Sequence, residues 1–195
     1  MDDLSAFILA GGKSTRMGQD KAFLKVEGMT LLERALALAG AVTSRVWIVG
    51  DAAKFSSAGN VVEDVYPDRG PLGGIHAALC VTETEFNLML AVDLPFLDAR
   101  FLQYLVTEAR GSLAVVTVPE SGGRLQPLCA IYRRQFAELA EQALLKGENK
   151  VDALFARTET RVIVQSELSE LGFHEKMFHN LNTPQDLESL KIPGA

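Results

Sequence analysis

Residues 88–92, Leu-Met-Leu-Ala-Val, form an unbroken apolar run that ends at Asp93. A strand without polar alternation has no side to offer to water, so it belongs inside a parallel sheet covered on both faces. Residues 4–10 have much the same character and run directly into Gly11-Gly12. Shorter strand-like segments follow at 46–49, 61–63, 114–118, 128–132 and 162–164, and an extended piece is expected at 23–26. Segment 128–132 fits either a hairpin with its predecessor across Gly122-Gly123 or a place in the main sheet.

Helical patterns lie between these strands. Thr30-Leu31-Leu32-Glu33 is a capping box, and Leu31, Leu32, Ala35, Leu36, Leu38 and Ala39 form the stripe behind it. Gly70-Pro71-Leu72-Gly73-Gly74 reads as a turn before a small-residue helix over 75–81. Asp98 is placed to cap the next helix, which turns Phe101, Leu102, Leu105 and Val106 inward and stops at Gly111. Phe136, Leu139, Ala140, Ala143 and Leu144 supply another helical face, and Pro184 opens a last helix over 185–190. The alternation predicts an α/β fold of three layers, a mostly parallel sheet with helices on both faces, in one domain over 1–195.

Charge and composition exclude several functions. With 48% apolar and 23% charged residues the chain is far from disorder, and its net charge of −6 argues against a large nucleic-acid footprint. No apolar run approaches the roughly 18–20 residues of a membrane span, and the amino terminus lacks the pattern of a secretion signal. A cytoplasmic protein that binds neither nucleic acid nor membrane is expected. Cys80 and Cys129 stand far apart and read as two small buried hydrophobes, while His76, His174 and His179 have no zinc-ligand spacing.

In an open α/β sheet ligands sit beyond the carboxyl ends of the strands. Two such ends carry chemistry here. After Leu9 and Ala10, Gly11 and Gly12 let the backbone turn tightly and aim successive N–H groups at a phosphate chain. Arg16 then offers a bidentate fork and Lys21 a point charge. The loop is neither Gly-x-x-x-x-Gly-Lys-Ser/Thr nor Gly-x-Gly-x-x-Gly. A solvated glycine turn with incidental basic residues is the plain alternative. Asp93, at the other strand end, can bridge Mg²⁺ to substrate phosphates; otherwise it is a turn aspartate before Pro95.

These residues carry a resemblance. The stretch LAGGKSTRMGQDKA at 9–22 resembles the opening of the Rossmann-like nucleotidyltransferases, which include sugar-phosphate pyrophosphorylases. With GPLGG at 70–74, Asp93-Leu94-Pro95, QPLCAIY at 126–132 and NLNTP at 180–184, nearly the whole chain is similar to the molybdenum cofactor guanylyltransferases, the MobA family.

The resemblance implies transfer of GMP from GTP to the terminal phosphate of molybdenum-molybdopterin. It implies Arg16, Lys21 and Asp93 as the catalytic set, with Mg²⁺ on Asp93. Leu9, Ala10, Gly11, Gly12 and Asp64 would bind the nucleotide, with Gly73 and Gly74 allowing close approach of backbone to base or ribose. Asn180 and Asn182 alternate on one face and would meet the molybdopterin side, although Asn182 and Thr183 also suit a helix cap. Arg124 fits a solvated hairpin better than a substrate contact.

Gly50 departs from the asparagine that contacts guanine in some relatives, with Asp51 as a possible substitute. Handover from molybdenum-insertion proteins, and onward to molybdoenzymes or their chaperones, is the implied route for labile molybdopterin. A cytidylyl- or sugar-phosphate transferase and a non-catalytic nucleotide-binding module are the alternatives. Gly11, where cytidine-specific relatives carry Ala, tilts the choice to guanine.

Overall fold

The computed structural model describes residues 3–11 and 20–181; the helix expected over 185–190 lies outside them. In chain order the elements are β1 (Leu4–Leu9), β2 (Lys25–Val26), β3 (Met29–Thr30), α1 (Leu31–Gly40), β4 (Val46–Val49), α2 (Ala52–Phe55), β5 (Asn60–Val62) and α3 (Pro71–Val81). They continue with β6 (Phe86–Ala91), α4 (Ala99–Arg110), β7 (Val116–Ser121), β8 (Arg124–Leu125), β9 (Cys129–Arg133), α5 (Phe136–Leu145), β10 (Thr160–Ile163) and α6 (Gln165–Glu170).

The main sheet runs β10-β7-β9-β6-β1-β4-β5, with β8 paired to β7. β1 lies parallel between β4 and β6, as its apolar sequence requires, and β5 and β10 also pair in parallel. The exception is β9, antiparallel to both β6 and β7. It therefore joins the main sheet, whereas the Gly122-Gly123 hairpin is closed by the short β8. Both of these glycines have positive φ, 58° and 70°, which suits a two-residue turn between antiparallel strands.

Side chains alternate across the strands and feed two cores. Leu4, Ala6, Ile8, Leu88 and Leu90 pack with α1 and α4, while Phe7, Met89, Ala130 and Tyr132 pack with α3 and α5. The capping box forms as the sequence predicts: Thr30 Oγ1 accepts from Glu33 N at 3.1 Å, and Glu33 accepts from Thr30 N at 2.7 Å. Asp98 likewise accepts from Arg100 N at 2.8 Å. Gly111 closes α4 at φ −77°, so its left-handed freedom is unused there.

Two local expectations change. α3 begins at Pro71 and takes in Gly73 and Gly74, which are helical and not part of the expected turn; Asp68 at φ 63° and Gly70 at φ 64° make the bend. Tertiary packing overrides the low helix propensity of the glycines because the helix must approach the sheet closely there. A Cβ on Gly74 would stand 3.2 Å from a Val49 methyl. Cys129 is buried, and desolvation pushes its thiol well up. Cys80 is instead exposed, 3.3 Å from His76 Nε2, because the last turn of α3 is left uncovered.

The end of the sheet opposite the glycine loop is pinned by buried polar groups. Ser5, Asn87 and Tyr132 lie in register across β1, β6 and β9. Thr84 Oγ1 donates to Ser5 Oγ at 2.9 Å, Asn87 Nδ2 to Tyr132 O at 3.2 Å, and Thr43 Oγ1 to Leu4 O at 2.7 Å. Asn87 is fully buried, so these bonds replace water that cannot reach it. Among the described residues no helix is long and apolar enough to cross a membrane.

Candidate active site

Because β1, β4 and β6 are parallel, their carboxyl ends open at one edge, where ligands bind in this architecture. Past β1 the chain folds over its neighbour: Ala10 N and Gly11 N both donate to Val49 O, at 3.0 and 3.1 Å. Past β6, Val92 N donates to Leu9 O, so Asp93 emerges beside the glycine bend. A cleft of about 180 Å³ lies between them, lined by Leu9, Ala10, Gly11, Lys21, Asp64 and Asp93 together with Gly74.

Lys21 reaches this cleft from a 3-10 turn over Lys21–Phe23, whose preceding Asp20 accepts from Ala22 N at 3.2 Å. Lys54 on α2 holds Asp20 from the other side, at 3.2 Å. The Lys21 ammonium stands 3.3 Å from Asp93 Oδ2, and the two side chains are only 20% and 18% exposed. A cation therefore already sits against Asp93, in a setting that screens charge less than open water. Among the described residues no group of three or more His, Cys, Asp or Glu gathers to cage a metal. A hard divalent ion fits one carboxylate plus phosphate oxygens, so these residues suit an ion that arrives with a polyphosphate.

Asp64 follows β5 and faces the first turn of α3, where Gly73 and Gly74 leave room for its carboxylate. Desolvation raises its carboxyl above the usual aspartate range, although part of the side chain still meets solvent. The folded state thus holds the Asp64 proton more readily than the unfolded chain does. Its ionised form costs stability above that raised value, and the cost vanishes at acid pH where both states are protonated. Asp64→Asn is therefore expected to melt slightly higher than wild type at pH 7, with the gap closing below about pH 4. Paired thermal melts of wild type and Asp64→Asn across this pH range check the sign.

Other expected residues are placed differently. Gly12, Arg16 and Asn182 lie outside the described residues. Gly73 does not line the cleft; its missing side chain faces Tyr66 O, where a Cβ would come within 3.0 Å, and Gly74 has the cleft position. Asn180 is exposed, but the next residue ties its segment to the site, Leu181 N donating to Asp93 O at 3.0 Å. Arg124 is exposed on β8. Leu128, read only as the start of a strand, lines the cleft because its carbonyl accepts from Ala91 N at 2.7 Å.

At Gly50 the fold explains the lack of a side chain. A Cβ there would meet the Phe55 ring at 2.9 Å, and Phe55 is buried beneath a stack with Phe23, centroids 5.7 Å apart. Asp51, the possible substitute, is exposed and uses one carboxylate oxygen to cap α2, accepting from Ala53 N at 2.8 Å. Gly50→Asn should destabilise the protein by about 1–3 kcal/mol through overpacking, read as a lower urea midpoint.

Comparison with known proteins places the chain in a family. A family profile described as MobA-like NTP transferase domain matches residues 6–162. A probable molybdenum cofactor guanylyltransferase of Clostridium perfringens is 34% identical over 194 residues, covering 95% of each chain. The molybdenum cofactor guanylyltransferase of Desulfosudis oleivorans is 32% identical, covering 96% of this chain and 94% of its own. The crystal structure of molybdopterin-guanine dinucleotide biosynthesis protein A from Archaeoglobus fulgidus superposes with a TM-score of 0.84, at 26% identity and 96% coverage of both chains. With the profile spanning most of its length and such relatives end to end, the chain belongs to the MobA-like NTP transferase family of nucleotidyltransferases.

Proposed function

We propose that this protein transfers GMP from GTP to the terminal phosphate of molybdenum-molybdopterin, releasing pyrophosphate and forming molybdopterin guanine dinucleotide. The observation that carries the reading is the convergence of Gly11, Lys21, Asp64 and Asp93 on one cleft at the carboxyl edge of the sheet. A phosphate oxygen of the acceptor attacks the α-phosphorus of GTP as the bond to the bridging oxygen of pyrophosphate breaks. The nucleophile is already ionised at neutral pH, so the protein needs no strong base. Its work is positioning and charge stabilisation.

Lys21 turns from Asp93 toward the α- and β-phosphate oxygens and neutralises charge that grows on them. The N–H groups of Ala10 and Gly11 are taken by Val49 O, contrary to the expectation that Gly11 donates to a phosphate, so the bend supplies room and Gly12 and Arg16 are proposed to supply the donors. Asp93 is the proposed ligand for Mg²⁺, which when bound supplies Lewis-acid neutralisation and a template for the triphosphate. Asp64 and Gly74 shape the nucleoside end. A Cβ on Gly11 would make only ordinary contacts, the nearest at 3.8 Å to Gly50 Cα and Val49 O. Glycine is thus not demanded there by packing, which supports a role in leaving room for a purine. Asn180 and Asn182 are proposed to meet the acceptor, which arrives by handover in the cytoplasm.

Incubation with molybdenum-molybdopterin, Mg²⁺ and either GTP, CTP or ATP tests the proposal. Pyrophosphate should appear with GTP at a rate well above the other two. Equal or faster release from CTP overturns the assignment of the base.

A further inference from the structure

The 3-10 turn that carries Lys21 is held from outside the cleft. Asp20 and Phe23 flank the lysine, and both meet the short helix α2. Asp20 Oδ1 accepts from Ala22 N at 3.2 Å, while its Oδ2 accepts from Lys54 Nζ, also at 3.2 Å. On the other side of Lys21 the Phe23 ring stacks on Phe55, with the planes 26° apart.

The helix is in turn fixed to the sheet. It follows β4 across Gly50, whose N donates to Val62 O at 2.9 Å. Asp51 caps its first turn, and Glu63, just past β5, accepts from Ala52 N at 3.2 Å. Phe55 is buried at its other end. Two strand ends thus anchor α2, and α2 grips the chain on both sides of Lys21.

Charge gives the polar half of this grip a further purpose. Asp20 lines the same cleft as Asp64 and Asp93. A third carboxylate facing a triphosphate would repel it, and the Lys54 ammonium offsets that charge while keeping the carboxylate on the turn it caps. Lys54 is 52% exposed and does not itself line the cleft. Its influence on the phosphates therefore passes through Asp20 and Lys21.

We propose that Lys54 is a positioning residue for Lys21: by holding Asp20 it keeps the next side chain aimed at Asp93 and at the phosphates that bind there. The proposal rests on the function proposed above for Lys21 and adds the residue that aims it. An exposed ion pair contributes little to global stability. Aim matters more, because a displacement of about 1 Å in a reacting site can cost up to about 100-fold in rate.

Pyrophosphate release from GTP, with molybdenum-molybdopterin and Mg²⁺, is compared in wild type, Lys54→Ala, Lys54→Arg, Lys21→Ala and the Lys21→Ala/Lys54→Ala double variant. In parallel, acylation of Lys21 by a limiting dose of acetic anhydride is followed by peptide mass spectrometry, with the exposed Lys25 as internal reference. Lys54→Ala should lose about fivefold in kcat with KM for GTP and the thermal midpoint near wild type, and Lys54→Arg should recover most of the loss. Lys21, only 20% exposed when held, should acylate about threefold faster in Lys54→Ala, as a local opening would allow. In the Lys21→Ala background the second substitution should cost nothing more, since residues that act as one unit are not additive. Wild-type kcat in Lys54→Ala, an equal loss in both backgrounds, or unchanged acylation of Lys21 overturns the proposal and leaves the reaction standing. Absence of pyrophosphate from GTP with wild type, beside faster Lys21 acylation in Lys54→Ala, removes the proposed reaction and leaves the positioning in place.

Discussion

Asp93→Ala is expected to lose about two orders of magnitude or more in turnover while remaining folded, the scale seen when one preorganised electrostatic group is removed. The fold should survive because the structural bond of this residue is made by its backbone, Leu181 N to Asp93 O, and not by its carboxylate. What goes is the acid that faces Lys21 at 3.3 Å. Loss of this proposed ligand would leave the divalent ion only the triphosphate and water to hold it. Half-saturating Mg²⁺ should therefore rise along with the fall in turnover. Pyrophosphate release measured across a Mg²⁺ series, beside a thermal melt, reads both quantities. Near-normal turnover in a folded variant would falsify the catalytic role.

Lys21→Ala should cost a similar factor in turnover but move the metal dependence the other way. The lysine stands 3.3 Å from one oxygen of Asp93, where its charge competes with that of the proposed divalent ion. Its removal leaves a half-buried carboxylate with one positive neighbour fewer, which favours metal entry while depriving the phosphates of a fixed charge. Direct Mn²⁺ binding by electron paramagnetic resonance should thus tighten in Lys21→Ala and weaken in Asp93→Ala. A parallel loss of Mn²⁺ affinity in both would mean that the lysine helps to build the metal site and does not compete for it.

The parts of this fold that could be read from sequence are those decided locally. The apolar runs at 4–10 and 88–92 had no exposed face to offer, and they became the neighbouring central strands β1 and β6. The Thr30–Glu33 box and the Asp98 cap are short-range hydrogen bonds written in the residues that make them. Glycines misled for a tertiary reason: Gly73 and Gly74 look like a turn, yet they are helical because α3 crosses close to Val49 and Leu9. The direction of β9 was open because an apolar strand carries no mark of its partners. Phe96 carries no local mark of a role in the sequence. Its ring gains a cavity only when the distant 172–177 turn comes to stand opposite it.

The buried polar pins at the far end of the sheet have a wider meaning. Ser5, Asn87 and Tyr132 settle how three strands align, and they do so at the end remote from phosphate chemistry. A scaffold aligned from below needs nothing from its rim to stay in step. Loops such as 94–98 and 172–177 can then change in sequence while the strands beneath keep their places. Sequence change and maintenance of architecture are thereby assigned to opposite poles of one protein.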